Sequence, residues 1–245
     1  MSDALLVGAV AIAAALYASI GHGGASAYLA ILTLAGRVRP EIASTVLIMN
    51  ILVSTMAWFR FQRRGHFDAP LTGLLLLFSA PAAFAGGLIA ASARVFGTLL
   101  GLALLIAAAR LLLPDPRPIA LRTPKGVTLW SAAALLGISL GLLAGLTGVG
   151  GGIYLSPLLM LLGWKDAKGT AGISSAFISV NSLTSLSGRF LRGESFDPSL
   201  LPVVLAAILG GFLGSWWGAN HAAPTTLRRL LGIVLLIAGL KLLFA

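Results

Sequence analysis

The chain has 245 residues, of which 58% are hydrophobic and only 10% charged, and its mean hydropathy is +0.99. A soluble domain carries about 25% charged residues, so disorder, a coiled coil and nearly every water-soluble enzyme class are excluded. What remains is a polytopic membrane protein, and at about 20 residues per crossing the length fits roughly seven to nine spans.

Charges mark out eight largely apolar stretches, whose charge-free cores are 4–36, 42–59, 69–93, 95–109, 126–164, 169–188, 198–220 and 230–240. The fourth reaches Leu113 if Arg110 snorkels, and the last covers about 225–245 if Arg228, Arg229 and Lys241 lie at the interfaces. None alternates polar with apolar residues, so they are predicted to be helices and not barrel strands. Only Ser2 and Asp3 precede the first run, without the basic region of a signal peptide, so it reads as a retained membrane segment. Residues 114–125 hold a proline-rich linker that divides the chain into a first transmembrane repeat, 1–113, and a second, 126–245.

The halves repeat one another. Gly21-His-Gly-Gly24 matches Gly148-Val-Gly-Gly151, Leu34-Ala-Gly36 matches Leu161-Leu-Gly163, and Asn50 matches Asn181. Arg64-Gly-His-Phe-Asp68 matches Arg192-Gly-Glu-Ser-Phe-Asp197. The expected fold is therefore an all-α polytopic membrane protein of two homologous halves, each of about four helical segments with a glycine-broken first segment. The two longest runs, 4–36 and 126–164, carry the glycine clusters. A continuous helix over the first would reach about 50 Å, against a hydrocarbon core of about 30 Å. Each is expected to be a helix, a break and a half-helix, either within one tilted crossing or as a re-entrant hairpin. Lys and Arg segregate slightly better if each run returns to its starting side, which favours inverted repeats with the N-terminus outside.

The glycines are the most specific feature. Irregular backbone inside a bilayer is tolerated only where protein buries it or it lines a cavity. A half-helix starting after the break points free N–H groups and a positive dipole end at it, which suits an anion. Gly21, His22, Gly23 and Gly24 in the first half and Thr147, Gly148, Gly150, Gly151 and Gly152 in the second are thus candidate substrate-binding residues. The competing reading is close helix packing. No Lys-Ser/Thr follows the glycines, so they are no phosphate-binding nucleotide loop. His22 could bond an oxyanion, carry a proton or simply satisfy a carbonyl. Asn50 and Asn181, with Ser174 and Ser175, could line the path or lock helices together. Tyr28 and Tyr154 read as packing residues. All seven acids fall in loops or at segment ends, which argues against a cation pump. There is no cysteine, no histidine cluster for a metal and no Ser/His/acid constellation, so no metal, cofactor or enzymatic activity is expected. The net charge of +10 reads as basic cytoplasmic loops and not as nucleic-acid binding.

The second-half pattern has a Gly-rich break, then Tyr154-Leu-Ser-Pro-Leu-Leu-Met-Leu-Leu-Gly163, a Ser-rich helix with Asn181 and an Arg192-Gly turn ending in Asp197. It resembles the TauE/SafE family of sulfite and organosulfonate exporters. The first-half motif departs from the family's G-x-G-G-G element, with Ala25 and Ser26 after Gly24, which leaves equal roles for the halves open. The resemblance implies a multi-pass inner-membrane exporter of small sulfur-containing oxyanions. Its partners would be an anionic solute and membrane lipid; a homodimer is compatible with it. An anion channel and a non-transporting accessory subunit are the alternatives.

Overall fold

The computed structural model describes residues 2–36, 41–89 and 121–244, with Leu105, Ala108, Ala109, Leu112 and Leu113 between them. Most of the fourth apolar stretch and most of the proline-rich linker lie outside the described residues. Nine α-helices occur among the described residues: α1 (Asp3–Ser19), α2 (Ala25–Leu34), α3 (Glu41–Arg63), α4 (Ala69–Leu88), α5 (Gly126–Thr147), α6 (Gly152–Leu161), α7 (Ala167–Leu191), α8 (Leu201–Asn220) and α9 (Pro224–Phe244). A single 3-10 turn, Pro198–Leu200, leads into α8. Among the described residues, four segments are long and apolar enough to cross a bilayer: Ile42–Arg63, Ala69–Leu88, Gly126–Thr147 and Pro198–Asn220.

Local chemistry sets several helix starts. Asp68 accepts the Leu71 amide at 3.0 Å and caps α4, and Asp166 accepts the Gly169 amide at 2.8 Å and caps α7. Asp197 does the same for the turn before α8, accepting from Ser199 at 2.9 Å. Pro70 and Pro202 occupy first-turn positions, where a missing N–H costs nothing. Asp68 also pairs with Lys165 at 2.7 Å, tying the first half to the second. Partial burial pushes its carboxyl up, but the Lys165 ammonium and the Leu71 amide outweigh this and hold it below its ordinary value. The Asp68 stabilisation is therefore complete above about pH 4 and is lost as pH falls further, through the depressed folded value. Asp68→Ala is expected to lower stability by about 0.5–2 kcal/mol at neutral pH. Thermal unfolding in detergent at pH 7 and pH 3 checks this, the gap between variant and wild type narrowing at the lower pH.

Helix directions follow from the contacts. Ser44 meets Glu194, Asn50 meets Ser182 and Ser54 meets Ser179, so α3 and α7 run antiparallel. The Tyr17–Ser26 hydrogen bond, 2.9 Å, folds α2 back along α1. Two helix pairs run parallel on small residues. Gly210, Gly214 and Gly218 of α8 sit on the backbone of Ala11, Ala15 and Ser19 of α1. Gly137, Gly141 and Gly145 of α5 sit on the backbone of α4 from Leu75 to Gly86. Such close approach supplies the packing and weak contacts that hold helices together in lipid. A leucine at Gly214 would drive its Cβ into the Ala15 carbonyl. Gly214→Leu is expected to lower the unfolding midpoint by the equivalent of about 1–3 kcal/mol.

Helix α7 sits centrally, against α3, α4, α5 and α6. Five of its six serines are buried by protein, Ser174, Ser175, Ser179, Ser182 and Ser185, and only Ser187 is exposed. That resolves why so polar a segment is stable here: its hydroxyls find hydrogen-bond partners on its own turns or on neighbouring helices.

Candidate functional site

The two glycine clusters are chain breaks, as their composition predicts. Helix α1 ends at Ser19 and α2 begins at Ala25; α5 ends at Thr147 and α6 begins at Gly152. Gly148, Gly150 and Gly151 all adopt left-handed backbone, with φ of 70°, 74° and 77°. Three such residues in four turn the chain sharply between α5 and α6, a path that side-chain-bearing residues resist.

Both breaks converge on Asn50, in mid-α3. Its Oδ1 accepts the Ala25 amide, the first of α2, at 3.3 Å, and its Nδ2 donates to Ser182 Oγ at 2.8 Å. A Cβ at Gly23 would strike Asn50 Oδ1, and one at Gly150 would strike Asn50 Nδ2 and Ser182 Oγ. The absence of side chains at Gly23 and Gly150 therefore lets two chain breaks meet one buried amide. Close by, the amides of Gly152 and Ile153 begin α6, where helix geometry supplies no acceptor.

His22 joins the first break to the second half. Its Nε2 lies 2.6 Å from Ser156 Oγ on α6, and Ser156 donates to Ser174 Oγ on α7 at 2.8 Å. Ser156 has one proton and gives it to Ser174, so His22 Nε2 is the donor. The neutral ring then presents a bare Nδ1, which is buried and without a hydrogen-bond partner among the described residues. Tyr28 donates to the Gly23 carbonyl at 2.6 Å, so this tyrosine braces the break as well as packing. Tyr17, His22, Gly23, Asn50, Val149 and Ile178 line a narrow cavity with space for about one water molecule.

The other predicted residues are distributed around this centre. Ser174 belongs to the His22 chain. Ser175 donates to Gly172 O at 2.9 Å, within its own helix, and Thr147 donates to Leu143 O at 2.7 Å. Gly151 and Gly152 lie against Phe177 and Ile178, and Gly21 against the Ala171 backbone. Asn181 does not mirror Asn50. It is fully buried, and neither of its amide atoms has a hydrogen-bond partner among the described residues.

Sequence reasoning missed Arg189. It is 6% exposed near the end of α7. Its Nη2 donates to the Gly145 and Leu146 carbonyls, both at 3.2 Å, in the last turn of α5. Its Nη1 donates to Glu194 at 3.2 and 3.3 Å. Glu194 also accepts from Arg192 and, at 2.9 Å, from Ser44 at the start of α3. A cation on the negative end of α5 is favourable, and it fixes the entry to the second break, since Gly148 lies beside the guanidinium. The signal was available: Arg189 follows Ser182 by seven residues and Ser185 by four, on one helical face. At the other end of α7, Gly172 lies against the His66 carbonyl and the Phe61 side chain, and Lys165 pairs with Asp68.

Apolar helices long enough to span a bilayer, gathered around a buried polar helix and two opposed chain breaks, define a multi-pass helical membrane protein. The family model for the sulfite exporter TauE/SafE matches residues 5–242. The chain is also 32% identical, over 231 residues and 93% of both sequences, to the "Probable membrane transporter protein y4hK" of Sinorhizobium fredii (strain NBRC 101917 / NGR234). No solved structure matched. The chain belongs to the TauE/SafE family, and it is a membrane transporter and not an enzyme.

Proposed function

We propose that this transporter exports small sulfur-containing oxyanions, such as sulfite or organosulfonates, and that the anion is held where the glycine breaks meet at Asn50. The observation that carries this reading is the contact of Gly23 and Gly150 with one buried amide. Backbone amides at the start of α2 and α6, the Asn50 Nδ2 and the nearby hydroxyls would replace the anion's hydration, as in other transporters built on broken helices. The narrowness of the cavity favours alternating access over an open channel. The antiparallel α3/α7 pair and the matching α1–α8 and α4–α5 pairs support two inverted halves, each with a re-entrant first run.

Arg63, Arg64, Lys165, Lys168, Arg228 and Arg229 belong to the end of the bundle formed by the last turn of α3, the start of α7 and the α8–α9 turn. In our reading that end is cytoplasmic and attracts the anion. The N-terminus and the Arg189–Glu194 closure then face outward. The bare Nδ1 of His22 repels an anion when the ring is neutral. A proton on it makes a charged donor, so His22 would couple anion movement to protons.

Efflux from preloaded proteoliposomes tests this reading, using sulfite, thiosulfate and sulfoacetate, with methanesulfonate for the pH series because its charge is constant there. Saturable efflux is expected, rising as pH falls. His22→Gln is expected to flatten that dependence. An unchanged pH profile in His22→Gln removes the histidine from coupling, and no saturable flux of any sulfur oxyanion in folded protein removes the substrate assignment.

A further inference from the structure

Three arginines on the last turns of α3 converge on a groove of about 580 Å³ that they share with α8. Its walls are Met56, Phe59, Arg60, Arg63 and Arg64 from α3 and Phe212, Trp216 and Asn220 from α8. None of Arg60, Arg63 and Arg64 forms an ion pair among the described residues. Every other ion pair seen there uses different cations: Lys165, Arg189 and Arg192. The Arg60 guanidinium lies 4.2 Å from the centre of the Phe212 ring, so its stem and planar head are already oriented across the groove. Asn220 donates to the Trp216 carbonyl at 2.6 Å and keeps an amide oxygen and a second N–H at the rim.

We propose that this groove binds the headgroup of an anionic phospholipid. Its phosphate would sit among Arg60, Arg63 and Arg64, and its acyl chains would run along Phe59 and Phe212. Charge complementarity supports an anion: three cations line the groove, with no ion-pair partner among the described residues. The floor supports a lipid over a free anion. Phe59 is 52% exposed, Phe212 51% and Trp216 47%, and these rings continue from the arginines toward the membrane-spanning middle of α3 and α8. An inorganic phosphate would use the arginines and leave that apolar strip unused. Tryptophan with arginine at a helix end is the composition of the bilayer interface, and basic pockets between transmembrane helices suit acidic headgroups. The groove also spans both halves of the chain, since α3 and α8 touch where Gly211 lies on Val53. A lipid seated there would bear on two elements that an alternating-access cycle must move.

The test is lipid retention by the full-length protein. Delipidated protein in mild detergent is titrated with phosphatidylglycerol or phosphatidylcholine, and bound lipid is counted by native mass spectrometry, with and without millimolar inorganic phosphate. Wild type is expected to prefer phosphatidylglycerol, and phosphate is expected to leave most of it bound. The triple variant Arg60→Gln/Arg63→Gln/Arg64→Gln is expected to lose affinity by about a hundredfold, at roughly fivefold per arginine. The exposed single variants Arg63→Gln and Arg64→Gln give about fivefold each and report even if the triple variant is poorly folded. Equal retention of the two lipids by wild type overturns the proposal, as does undiminished phosphatidylglycerol binding in the arginine variants. Complete displacement by phosphate overturns it in favour of a simple inorganic anion site.

Discussion

Replacing Arg189 with methionine is expected to destabilise the protein by about 3–5 kcal/mol, the largest stability effect of any single substitution considered. The reason is what the change leaves behind. Glu194 is buried to nearly the same degree, its side chain 13% exposed, and would keep its negative charge with only Arg192 and Ser44 to meet it. The Gly145 and Leu146 carbonyls, at the negative end of α5, would lose their donor in a place that water reaches poorly. The loss falls at the entry to the second glycine break, so the conformation of Gly148 should loosen with it. Glu194→Gln is expected to cost less, because the amide still accepts from Arg189 and Ser44. The double variant Arg189→Met/Glu194→Gln is expected to recover part of the loss, because the buried acid that had lost one of its two cations is gone. Thermal unfolding of the four proteins in one detergent measures the cycle. Arg189→Met within about 1 kcal/mol of wild type would show that the pair is solvated and not part of the closure.

Gly150→Leu is expected to reduce anion flux by more than about a hundredfold, the largest effect on transport. Two independent costs act there. The backbone has φ of 74°, which strains any L side chain by about 1–3 kcal/mol. The Cβ alone would collide with Asn50, Ser182 and Ile178, so the second break must move away from the first. Gly36→Ala is the matched control. Gly36 has the same φ of 74° but, among the described residues and apart from its chain neighbours, no atom within 4 Å of the added Cβ. It carries the backbone strain without the steric block and should leave flux near wild type. Equal losses in both variants would trace the effect to strain and general misfolding, and not to the meeting point of the breaks.

Much of this architecture is written in local pattern. Charge spacing located the helices, because a bilayer core excludes ions from long runs. The glycine clusters located the breaks, because only glycine occupies left-handed backbone without strain. Asn50 and Asn181 stand at matching positions in the sequence, and three-dimensional packing gives them different contacts. Asn50 holds both breaks, while the amide of Asn181, at the matching position, has no hydrogen-bond partner among the described residues. A repeat in sequence does not dictate equal contacts, since Ser182 beside Asn181 corresponds to the apolar Ile51 beside Asn50. Arg189 was hidden for a different reason. A charge near the end of a hydrophobic run usually snorkels outward, and only the helical phase relative to Ser182 and Ser185 turns it inward. The small-residue stripes Gly137-Gly141-Gly145 and Gly210-Gly214-Gly218 have the four-residue spacing of a helix contact face, but their partners on α4 and α1 required the fold.

The central claim is that an oxyanion rests against Asn50, and Asn50→Asp tests it most directly. The substitution preserves shape and replaces a neutral donor with a negative charge. Ser182 can turn its hydroxyl to donate to the new carboxylate, so the packing between α3 and α7 is retained. Counterflow of labelled sulfite and sulfoacetate into preloaded proteoliposomes is measured for wild type, Asn50→Asp and Asn50→Ala. The account predicts partial loss in Asn50→Ala and abolition in folded Asn50→Asp, through repulsion of the anion. Wild-type counterflow in Asn50→Asp, with the carboxylate ionised, would contradict it and move the solute path away from the meeting point of the two glycine breaks.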